Sequence, residues 1–305
     1  MLWFKNIILY RLNQPLQFSL DKIEQQLSTF AFTSCHEQEM KRSGWVSPMD
    51  EKGESFTYMI PGHLLLSLRT EEKILPTAVV KMELQNKIDQ LENKQDRKLR
   101  KTEKNALKDE VIQTLMPRAF SRFTHTLLWL DLINHFVVVE ASSFKKAEEC
   151  LALLRKSIGS LSLFPLTMEN PIETTLTKWV NGEKTASGFM MQDEAELKAQ
   201  LEVGGIVRCK KQDLSSAEIL AHLNAGKRVT KLALDWRDRV QFILSDDGTL
   251  KRLQLSNKVQ EKNADIDRND LSACLNADFR LMTEELTVLI KELIVELGGA
   301  VSQEG

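Results

Sequence analysis

The sequence predicts an α+β fold of two mixed α/β domains with a projecting helical hairpin. With 305 residues, the chain is longer than one typical domain, which favours two. Apolar residues make up 42% and charged residues 28% of the chain, as in globular proteins, so a disordered or fibrous chain is excluded. Strand-like and helix-like segments are interspersed without a strict βαβ repeat, which favours α+β over a doubly wound parallel sheet.

The N-terminal part of the chain is expected to follow a β-α-β-β order. Residues 3–12 have the composition of a strand, and Ile23 and Leu27 lie four residues apart in a short helix after Asp21. Turn residues between strand-like runs indicate two hairpins. These are residues 56–60 with 63–69 around Pro61-Gly62, and residues 121–131 with 135–140 around Asn134. A helical stripe follows, formed by Ala147, Leu151, Leu154 and Ile158 and ending at Gly159.

A long charged segment lies between Pro76 and Pro117 and differs from its surroundings. Its apolar residues recur at helical spacing in two runs. The runs are Val80, Leu84, Ile88 and Leu91, then Leu107, Val111 and Leu115. Thr102 is a suitable N-cap for the second helix. We therefore expect two helices, inserted between strands of the first domain and projecting from it as a hairpin.

A change in composition near residues 165–182 predicts the start of a second domain. All 7 prolines lie at or before Pro171, whereas most of the 13 glycines follow it. Asn170 can cap a helix over 171–180, with Pro171 at its first position. Other helices are expected at 193–201, at 215–224 and along Met282, Leu286, Leu289, Leu293 and Leu297, and strands at 205–211, 229–235, 239–244 and 249–255. The resulting domains are 1–75 with 118–168 (central), 76–117 (helical tip) and 169–305 (C-terminal base).

Charge is distributed unevenly, although the net charge is only −2. Residues 94–108 carry a net charge of +5, residues 205–239 carry +4 and residues 253–305 carry −5. Few acidic residues lie within 94–108, so i,i+4 pairing is not expected to neutralise its basic side chains. A solvated helix face is the commoner role of such a run. Basic residues on two opposed surfaces would instead suit the phosphates of duplex DNA.

Basic and aromatic residues alternate in the stretch Arg118-Ala119-Phe120-Ser121-Arg122-Phe123. Packing within a strand explains such a pattern, and a contact at a DNA groove or a subunit joint is the alternative. Aromatic residues make up only 7% of the chain, so a platform for stacking single-stranded bases is not favoured.

Motifs of common enzymes and metal centres are missing from the sequence. It contains no P-loop, no G-x-G-x-x-G and no G-x-S-x-G, and its 5 histidines and 4 cysteines lack metal-ligand spacing. Glu196-Leu197-Lys198 resembles the end of a nuclease E-x-K motif, but it lies in a run expected to be an amphipathic helix. Asp246-Asp247-Gly248 is a common turn string. We therefore expect no catalytic residue, no metal and no cofactor, and four reduced thiols.

The N-terminal segment MLWFKNIILYRL is apolar but is interrupted by Lys5 and Asn6. It lacks the basic start, continuous apolar stretch and cleavage site of a signal peptide. No run reaches the ~18 apolar residues that a membrane span requires. We expect a cytoplasmic protein without membrane association.

Five segments of the chain resemble one known family. They are M-L-W-F-K-N at the N-terminus, E-E-K-I-L-P (71–76), L-M-P-R-A-F-S-R-F (115–123), M-E-N-P-I-E (168–173) and T-K-L-A-L-D-W (230–236). Over essentially its whole length, the sequence is similar to the RdgC family of recombination-associated proteins from proteobacteria.

The resemblance implies a nucleoid protein that binds DNA without strong sequence preference and has no catalytic activity. It also implies a ring-shaped homodimer whose positively charged hole admits duplex DNA, and which restrains RecA-promoted recombination. Phe120 lies where the family places a residue of the joint that closes the ring. The residues in matching motifs that would face or approach the hole are Arg97, Lys98, Arg100, Lys101, Lys104, Arg118, Lys211, Gln212 and Lys227, and Arg228 beside Lys227 completes the predicted DNA-binding set.

Two other classes of protein remain as alternatives. A metal-dependent DNA-processing enzyme would need a cluster of carboxylates around a metal ion. A protein-interaction adaptor would use the acidic C-terminal helix to bind partners.

Overall fold

The structure is a computed structural model that describes residues 2–14, 16, 19–49, 53, 55–159, 161–185, 188–201 and 204–301. Within these residues, one antiparallel sheet contains twelve strands. They are β1 (Ile7–Leu12), β2 (Lys41–Val46), β3 (Thr57–Ile60), β4 (His63–Ile74), β5 (Phe120–Asp131), β6 (Phe136–Glu140), β7 (Leu163–Pro165), β8 (Phe189–Ala199), β9 (Ile206–Lys210), β10 (Lys227–Trp236), β11 (Val240–Ser245) and β12 (Leu250–Leu255).

Eight α-helices accompany the sheet in the same described ranges, so the predicted α+β class is confirmed. They are α1 (Leu20–Ser28), α2 (Thr77–Gln95), α3 (Lys101–Leu115), α4 (Phe144–Ile158), α5 (Ile172–Val180), α6 (Ala217–Asn224), α7 (Asn257–Gln260) and α8 (Leu271–Glu296). None of these helices is both long and apolar enough to cross a membrane.

The sheet consists of two halves that meet at a narrow seam. Its strand order is β2-β4-β5-β6-β1-β12-β11-β10-β8-β9, with β3 paired to β4 and β7 paired to β1. β1 pairs along five positions with β6, but its pairing with β12 is a single position, Ile7 opposite Leu250. The N-terminal and C-terminal halves of the sheet are therefore continuous through one short contact.

Helices α1 and α4 cover one face of the N-terminal half of the sheet. Alternate residues of β1, including Ile8 and Tyr10, point to this face and are buried against Leu27 of α1 and Leu151 of α4. Trp45 of β2 is fully buried there, and its indole N–H donates to the Ser157 hydroxyl at 2.8 Å. This layer forms a core of its own, whose buried residues all come from positions 8–163.

A second core lies on the other face and extends under both halves of the sheet. Ile7 and Leu9 of β1 belong to it, together with strands of the C-terminal half and helices α5 to α8. The ring of Phe279 in α8 meets the ring of Tyr58 in β3 edge to face, 6.1 Å apart. Helices of the C-terminal half thus pack on one side of the sheet. Among the described residues, the opposite face of the C-terminal half carries no helix of either core.

The expected helix over 193–201 is wrong, because this stretch belongs to strand β8. Burial there alternates: Ala195 and Leu197 face the core, whereas Glu194, Glu196 and Lys198 face the other way. Glu, Ala, Leu and Lys favour helices, but β8 pairs with β10 on one side and β9 on the other. Pairing on both edges, with one face buried, overrides the weak local propensity.

Two expected helix caps are also wrong. Helix α3 begins after Arg100 and not after Thr102, because Glu103 accepts the backbone N–H of Arg100 at 2.7 Å and fixes the first turn there. Helix α5 begins after Pro171 and not after Asn170; Pro171 has an extended ψ of 123°, and no side chain caps it. The first strand begins at Ile7, four residues later than expected, and β2, β7 and α7 were not expected.

The other expected elements agree with the structure to within a few residues at their ends. They include both hairpins, the helix that ends at Gly159, the two helices between Pro76 and Pro117, and α8, which stops before Gly298 and Gly299. The four cysteines are free thiols, two of them buried. Burial raises the pKa of the Cys150 thiol to about 12, so it remains protonated at neutral pH.

Candidate nucleic-acid interface

The turn between α2 and α3 gathers the first group of predicted DNA-binding residues. Arg97 donates two hydrogen bonds from its guanidinium to the Glu103 carboxylate, at 2.6 and 3.0 Å. This ion pair, with the backbone N–H of Arg100, lowers the pKa of Glu103 to about 2. Glu103 therefore closes the turn and also neutralises one of the predicted contacts.

Glu92, near the end of α2, organises the remainder of this turn. Its carboxylate accepts from the Lys98 ammonium at 2.6 Å and from the backbone N–H of Leu99 at 3.0 Å, and Lys104 lies 3.4 Å away. The hydrogen bond from Lys98 and the one from Leu99 are the main causes that lower the pKa of Glu92 to about 2. Two carboxylates thus bind three cations across the turn.

Three of these basic side chains are therefore paired, although not through the i,i+4 contacts that the sequence analysis considered. Glu92 and Glu103 are six residues from Lys98 and Arg97, respectively, a spacing that lies outside the i,i+4 rule but that the turn brings into contact. Within the described part of the chain, no ion pair involves the side chains of Arg100 or Lys101. These two residues are the cations of the turn that remain available to an external anion.

Replacing Glu92 with glutamine is expected to loosen this turn without unfolding the rest of the chain. Because the folded pKa of Glu92 lies below its ordinary value of 4.5, its ion pairs stabilise the turn fully above that pH and are lost as the pH falls toward 2. The protection of the amides at 96–100 against hydrogen exchange, measured relative to the intrinsic rate at each pH, should fall in Glu92→Gln at pH 7, and in the unmodified protein between about pH 4.5 and 2. Glu83→Gln on the same helix is the matched control; equal exchange in both variants would contradict this role.

Arg118 and Phe120 lie where α3 returns to the sheet. Arg118 ends a short 3₁₀ turn after α3, and Phe120 is the first residue of β5, opposite Ile74 of β4. The Phe120 side chain is 85% exposed, whereas Phe123 lies against the Arg69 guanidinium at 4.5 Å and against the ring of Phe32. Strand packing therefore accounts for Phe123 but not for Phe120.

The open face of the C-terminal half carries a second charged surface, which we name the basic sheet face. Cross-strand pairing places Arg208 opposite Glu196, Lys210 opposite Glu194 and Arg228 opposite Lys198. Residues directly opposite each other point to the same side of a sheet. The members of the basic sheet face on β8, β9, β10 and β12 are Glu194, Glu196, Lys198, Arg208, Lys210, Arg228, Lys231, Lys251 and Arg252.

Ion pairs connect four strands across the basic sheet face. Glu196 accepts from Lys231 at 2.7 Å and from Arg208 at 2.8 Å, and Glu194 accepts from Arg252 at 2.5 Å. Partial burial acts to raise the pKa of Glu196, but the hydrogen bonds from Lys231 and Arg208 outweigh it and lower that pKa. The Glu196 carboxylate is therefore ionised at neutral pH, and basic side chains on this face outnumber the two glutamates.

A cavity of about 440 Å³ lies in the middle of the basic sheet face. Its walls include Asn6, next to β1, and both Lys251 and Arg252 of β12. The Asn6 side chain accepts the backbone N–H of Arg252 at 3.2 Å, which ties the start of β1 to this surface. The seam between the two halves of the sheet therefore borders the cavity.

The remaining predicted residues lie at the margin of this surface. Lys211 follows β9 with a left-handed φ of 53°, and the Gln212 amide donates to Glu218 of α6 at 3.0 Å. Lys227 lies opposite Ala199 and so points away from Arg228, with its ammonium 3.4 Å from the His222 ring. Of the residues predicted in this region, only Arg228 is on the basic sheet face itself.

Six other cations of the basic sheet face were not among the predicted site residues. Arg208, Lys210 and Lys231 lie within the basic region 205–239, whereas Lys198, Lys251 and Arg252 lie outside it. The alternation Glu194-x-Glu196-x-Lys198 would have placed Lys198 on the same face as the two glutamates if the stretch had been interpreted as a strand. Lys251 and Arg252 lie in the acid-free strand β12, which β11 and β10 separate from β8, and their side chains reach the cavity that Glu194 of β8 also lines.

The string Glu196-Leu197-Lys198 lies on strand β8 and not on the expected helix, so its structural context is closer to that of a nuclease E-x-K motif. Both carboxylate oxygens of Glu196 are already occupied by cations. Across the described residues, no group of three or more His, Cys, Asp or Glu side chains is arranged to hold a metal ion. The site thus resembles a charged binding surface more than a metal centre.

The fold and the site together define a class of protein. It is an α+β protein with a charged helical turn and a basic face on the uncovered side of its sheet. The family model described as "Putative exonuclease, RdgC" matches residues 2–300. A recombination-associated protein RdgC of Sodalis glossinidius is 64% identical over 305 residues and the whole of both chains. The proteins of the same name from Yersinia enterocolitica and Yersinia pestis are 57% and 56% identical over 299 residues, which is 98% of this chain and 99% of theirs. The chain belongs to the RdgC family.

Proposed function

We propose that this protein binds duplex DNA without strong sequence preference through its basic sheet face and the α2–α3 turn. The observation that carries the proposal is the basic sheet face, where lysines and arginines from four strands outnumber Glu194 and Glu196. Contacts from lysine and arginine to phosphates supply affinity but carry no sequence information directly. The proposal includes no catalytic step and no cofactor.

The proposal extends to a closed dimer around the duplex. An exposed phenylalanine at the start of β5 suits an interface between subunits, because aromatic side chains are common interface anchors. Two copies joined there and elsewhere would enclose DNA and block the access that RecA needs, which agrees with the recombination-associated names of the relatives. A protein held on DNA in this way would be found with the nucleoid.

The division into a central domain (1–75 with 118–168), a helical tip (76–117) and a base (169–305) is part of the same proposal. In this division, the seam between Ile7 and Leu250 lies between the central domain and the base, and the turn at 96–100 lies at the end of the tip. The second core extends under both, so the central domain and the base would move as one body.

The adaptor hypothesis has less support, because internal contacts occupy several acidic residues of α8. Glu285 is buried and forms ion pairs with Arg239 and with Lys262, the latter at 3.2 Å. Glu292 accepts from the Trp236 indole N–H at 2.8 Å and from Arg237 at 2.5 Å. These carboxylates fasten α8 to the sheet, which leaves fewer of them for a partner.

The test is a titration of duplex affinity against salt on several unrelated sequences. The logarithm of affinity should fall linearly with the logarithm of salt concentration, with a slope near −0.9 for each phosphate contact. Lys198→Gln with Arg228→Gln should make the slope shallower by about 1 to 2 on every sequence. Lys178→Gln with Lys258→Gln, exposed on helices of the opposite side, is the control and should leave the slope unchanged.

Three outcomes would contradict the proposal. They are a flat salt response, an effect confined to one sequence, and equal slopes in the test and control variants. Magnesium-dependent shortening of the duplex, lost in Glu196→Gln, would instead favour the exonuclease of the family description. For enclosure, the protein should remain on circular DNA longer than on linear DNA of equal length.

A further inference from the structure

We propose that Glu194 and Glu196 are internal counter-anions of the basic sheet face, and that duplex DNA binds this face when its phosphates take over the cations that the two glutamates hold. The inference rests on the proposed function and adds a regulatory element to the same surface: in the absence of DNA, the protein neutralises part of its own binding site. The ligand is the phosphodiester backbone of duplex DNA, because the surface presents charge without an aromatic platform.

Each carboxylate holds cations that come from two other strands of the sheet. Glu196 pairs with Arg208 of β9 and Lys231 of β10, at 2.8 and 2.7 Å. Glu194 pairs with Arg252 of β12 at 2.5 Å and lies 3.9 Å from Lys210 of β9. Arg and Lys form the same charge-assisted hydrogen bonds with carboxylates and with phosphates. A bound phosphate can therefore take over the cations of either glutamate without any change in the backbone.

The exposed fractions of the basic and the acidic side chains show which of them can move. Side-chain exposure is 68% for Arg208, 66% for Lys210 and 53% for Arg252, but only 14% for Glu196 and 27% for Glu194. The carboxylates are thus fixed low on the sheet, and the cations extend above them into solvent. Exposed ion pairs of this kind contribute little stability and exchange partners readily. The cations can turn outward to phosphates while the glutamates remain in place.

The spacing of the glutamates also suits a row of phosphates. They are two residues apart on one strand, so their Cα atoms are separated by about 6.8 Å. Two anionic sites in line along β8, each in contact with cations from two other strands, form a linear array. A linear array matches a backbone whose charges follow one another along a strand, and a single globular anion would need only one of the two sites.

The counter-anions are expected to weaken DNA binding. Each glutamate subtracts one positive charge from the surface and repels the phosphate that approaches it. The wild-type protein should consequently release DNA more readily than its number of lysines and arginines suggests. This property would let a protein that encloses DNA slide along it.

The experiment compares wild type with the double variant Glu194→Gln/Glu196→Gln, in which each amide keeps a hydrogen-bond acceptor. Duplex affinity at 0.15 M salt should increase about tenfold or more, and the log–log salt slope should become steeper by about 1 to 2. The control is Glu284→Gln/Glu296→Gln, which makes the same change in net charge on exposed positions of α8. It should change both quantities by much less, because long-range charge effects are screened beyond about 8 Å.

Equal or weaker binding by the double variant, at an unchanged melting temperature, would overturn the inference. That result would mean that the glutamates hold the cations in place for DNA and do not compete with it. If the double variant fails to fold, Glu194→Gln alone, at the more exposed site, should still tighten binding. Failure of the proposed function is distinguishable, because wild-type protein would then show no salt-dependent affinity for duplex DNA at all.

Discussion

Replacement of Phe120 by serine is expected to leave the monomer folded and to weaken association between two copies of the chain. The side chain is 85% exposed, so its removal takes little apolar surface out of the monomer. Surface changes away from special features usually alter the free energy of unfolding by about 0.5 kcal/mol or less. An interface anchor instead stabilises association, where removal of one aromatic can cost about 2 kcal/mol or more. Sedimentation across a range of protein concentrations, beside urea unfolding, separates the two effects.

Phe279→Ser provides the matched control for this prediction. Phe279 is fully buried in the second core, so the same substitution there should cost about 3–5 kcal/mol of folding free energy. If Phe120→Ser were as destabilising as Phe279→Ser, Phe120 would be a core residue. If its association and its lifetime on circular DNA were unchanged, Phe120 would not lie at a joint of the proposed ring.

Gly44→Ala is expected to be among the most destabilising single methyl additions in the chain. The segment after α1 lies directly against β2, where Ala31 forms a parallel bridge with Trp45, and a Cβ at position 44 would lie 2.4 Å from the Phe32 Cα and 2.8 Å from the carbonyl carbon of Ala31. Because these atoms belong to the backbone, no side-chain rotation relieves the overlap. The Phe32 N–H also donates to the Trp45 carbonyl at 2.9 Å, so the segment cannot lift without losing that bond. We expect a loss of about 3 kcal/mol or more, measured by urea unfolding.

Gly205→Ala is the control for this prediction. It tests whether the expected loss of stability in Gly44→Ala comes from the crowding at position 44 or from any glycine-to-alanine change. A Cβ at position 205 meets no atom within 4 Å, so this variant should unfold like the wild type. Limited proteolysis should also cut Gly44→Ala faster between residues 29 and 40, where the displaced segment lies. Similar stability of the two alanine variants would show that the segment beside β2 adjusts at low cost.

Helices and strands with one clear hydrophobic periodicity could be predicted from the sequence. Segments whose conformation depends on pairing with other strands could not. The stripe of Ala147, Leu151 and Leu154 faces a core at helical spacing, and all three residues are buried. Strand β8 has the composition of a helix and is a strand because β9 and β10 pair with its two edges. No window of local sequence contains that information.

Only part of the candidate site could be predicted, because the rest depends on contacts between segments that are distant in the sequence. Charge counting located the α2–α3 turn and the region around Arg208, but not the pairing of Lys98 with Glu92 or of Arg97 with Glu103. Those contacts depend on how tightly the chain turns after Asp96, which has a left-handed φ of 48°. The basic sheet face needs strand order in addition, because β12 and β9 contribute to it from distant parts of the chain.

The place of β1 in the sheet has a consequence for how the chain is made. The strand is synthesised before the other eleven described strands, yet it lies in the middle of the sheet and meets Leu250 through Ile7 at the seam. Its partner on the other side, β6, becomes available after residue 140, together with most of the layer that α1 and α4 cover. Until α5 and α8 follow, however, Leu65, Trp129 and Val138 have no cover on their own face. The emerging polypeptide must therefore carry an apolar surface, open to chaperones or to aggregation, until its last helix is complete.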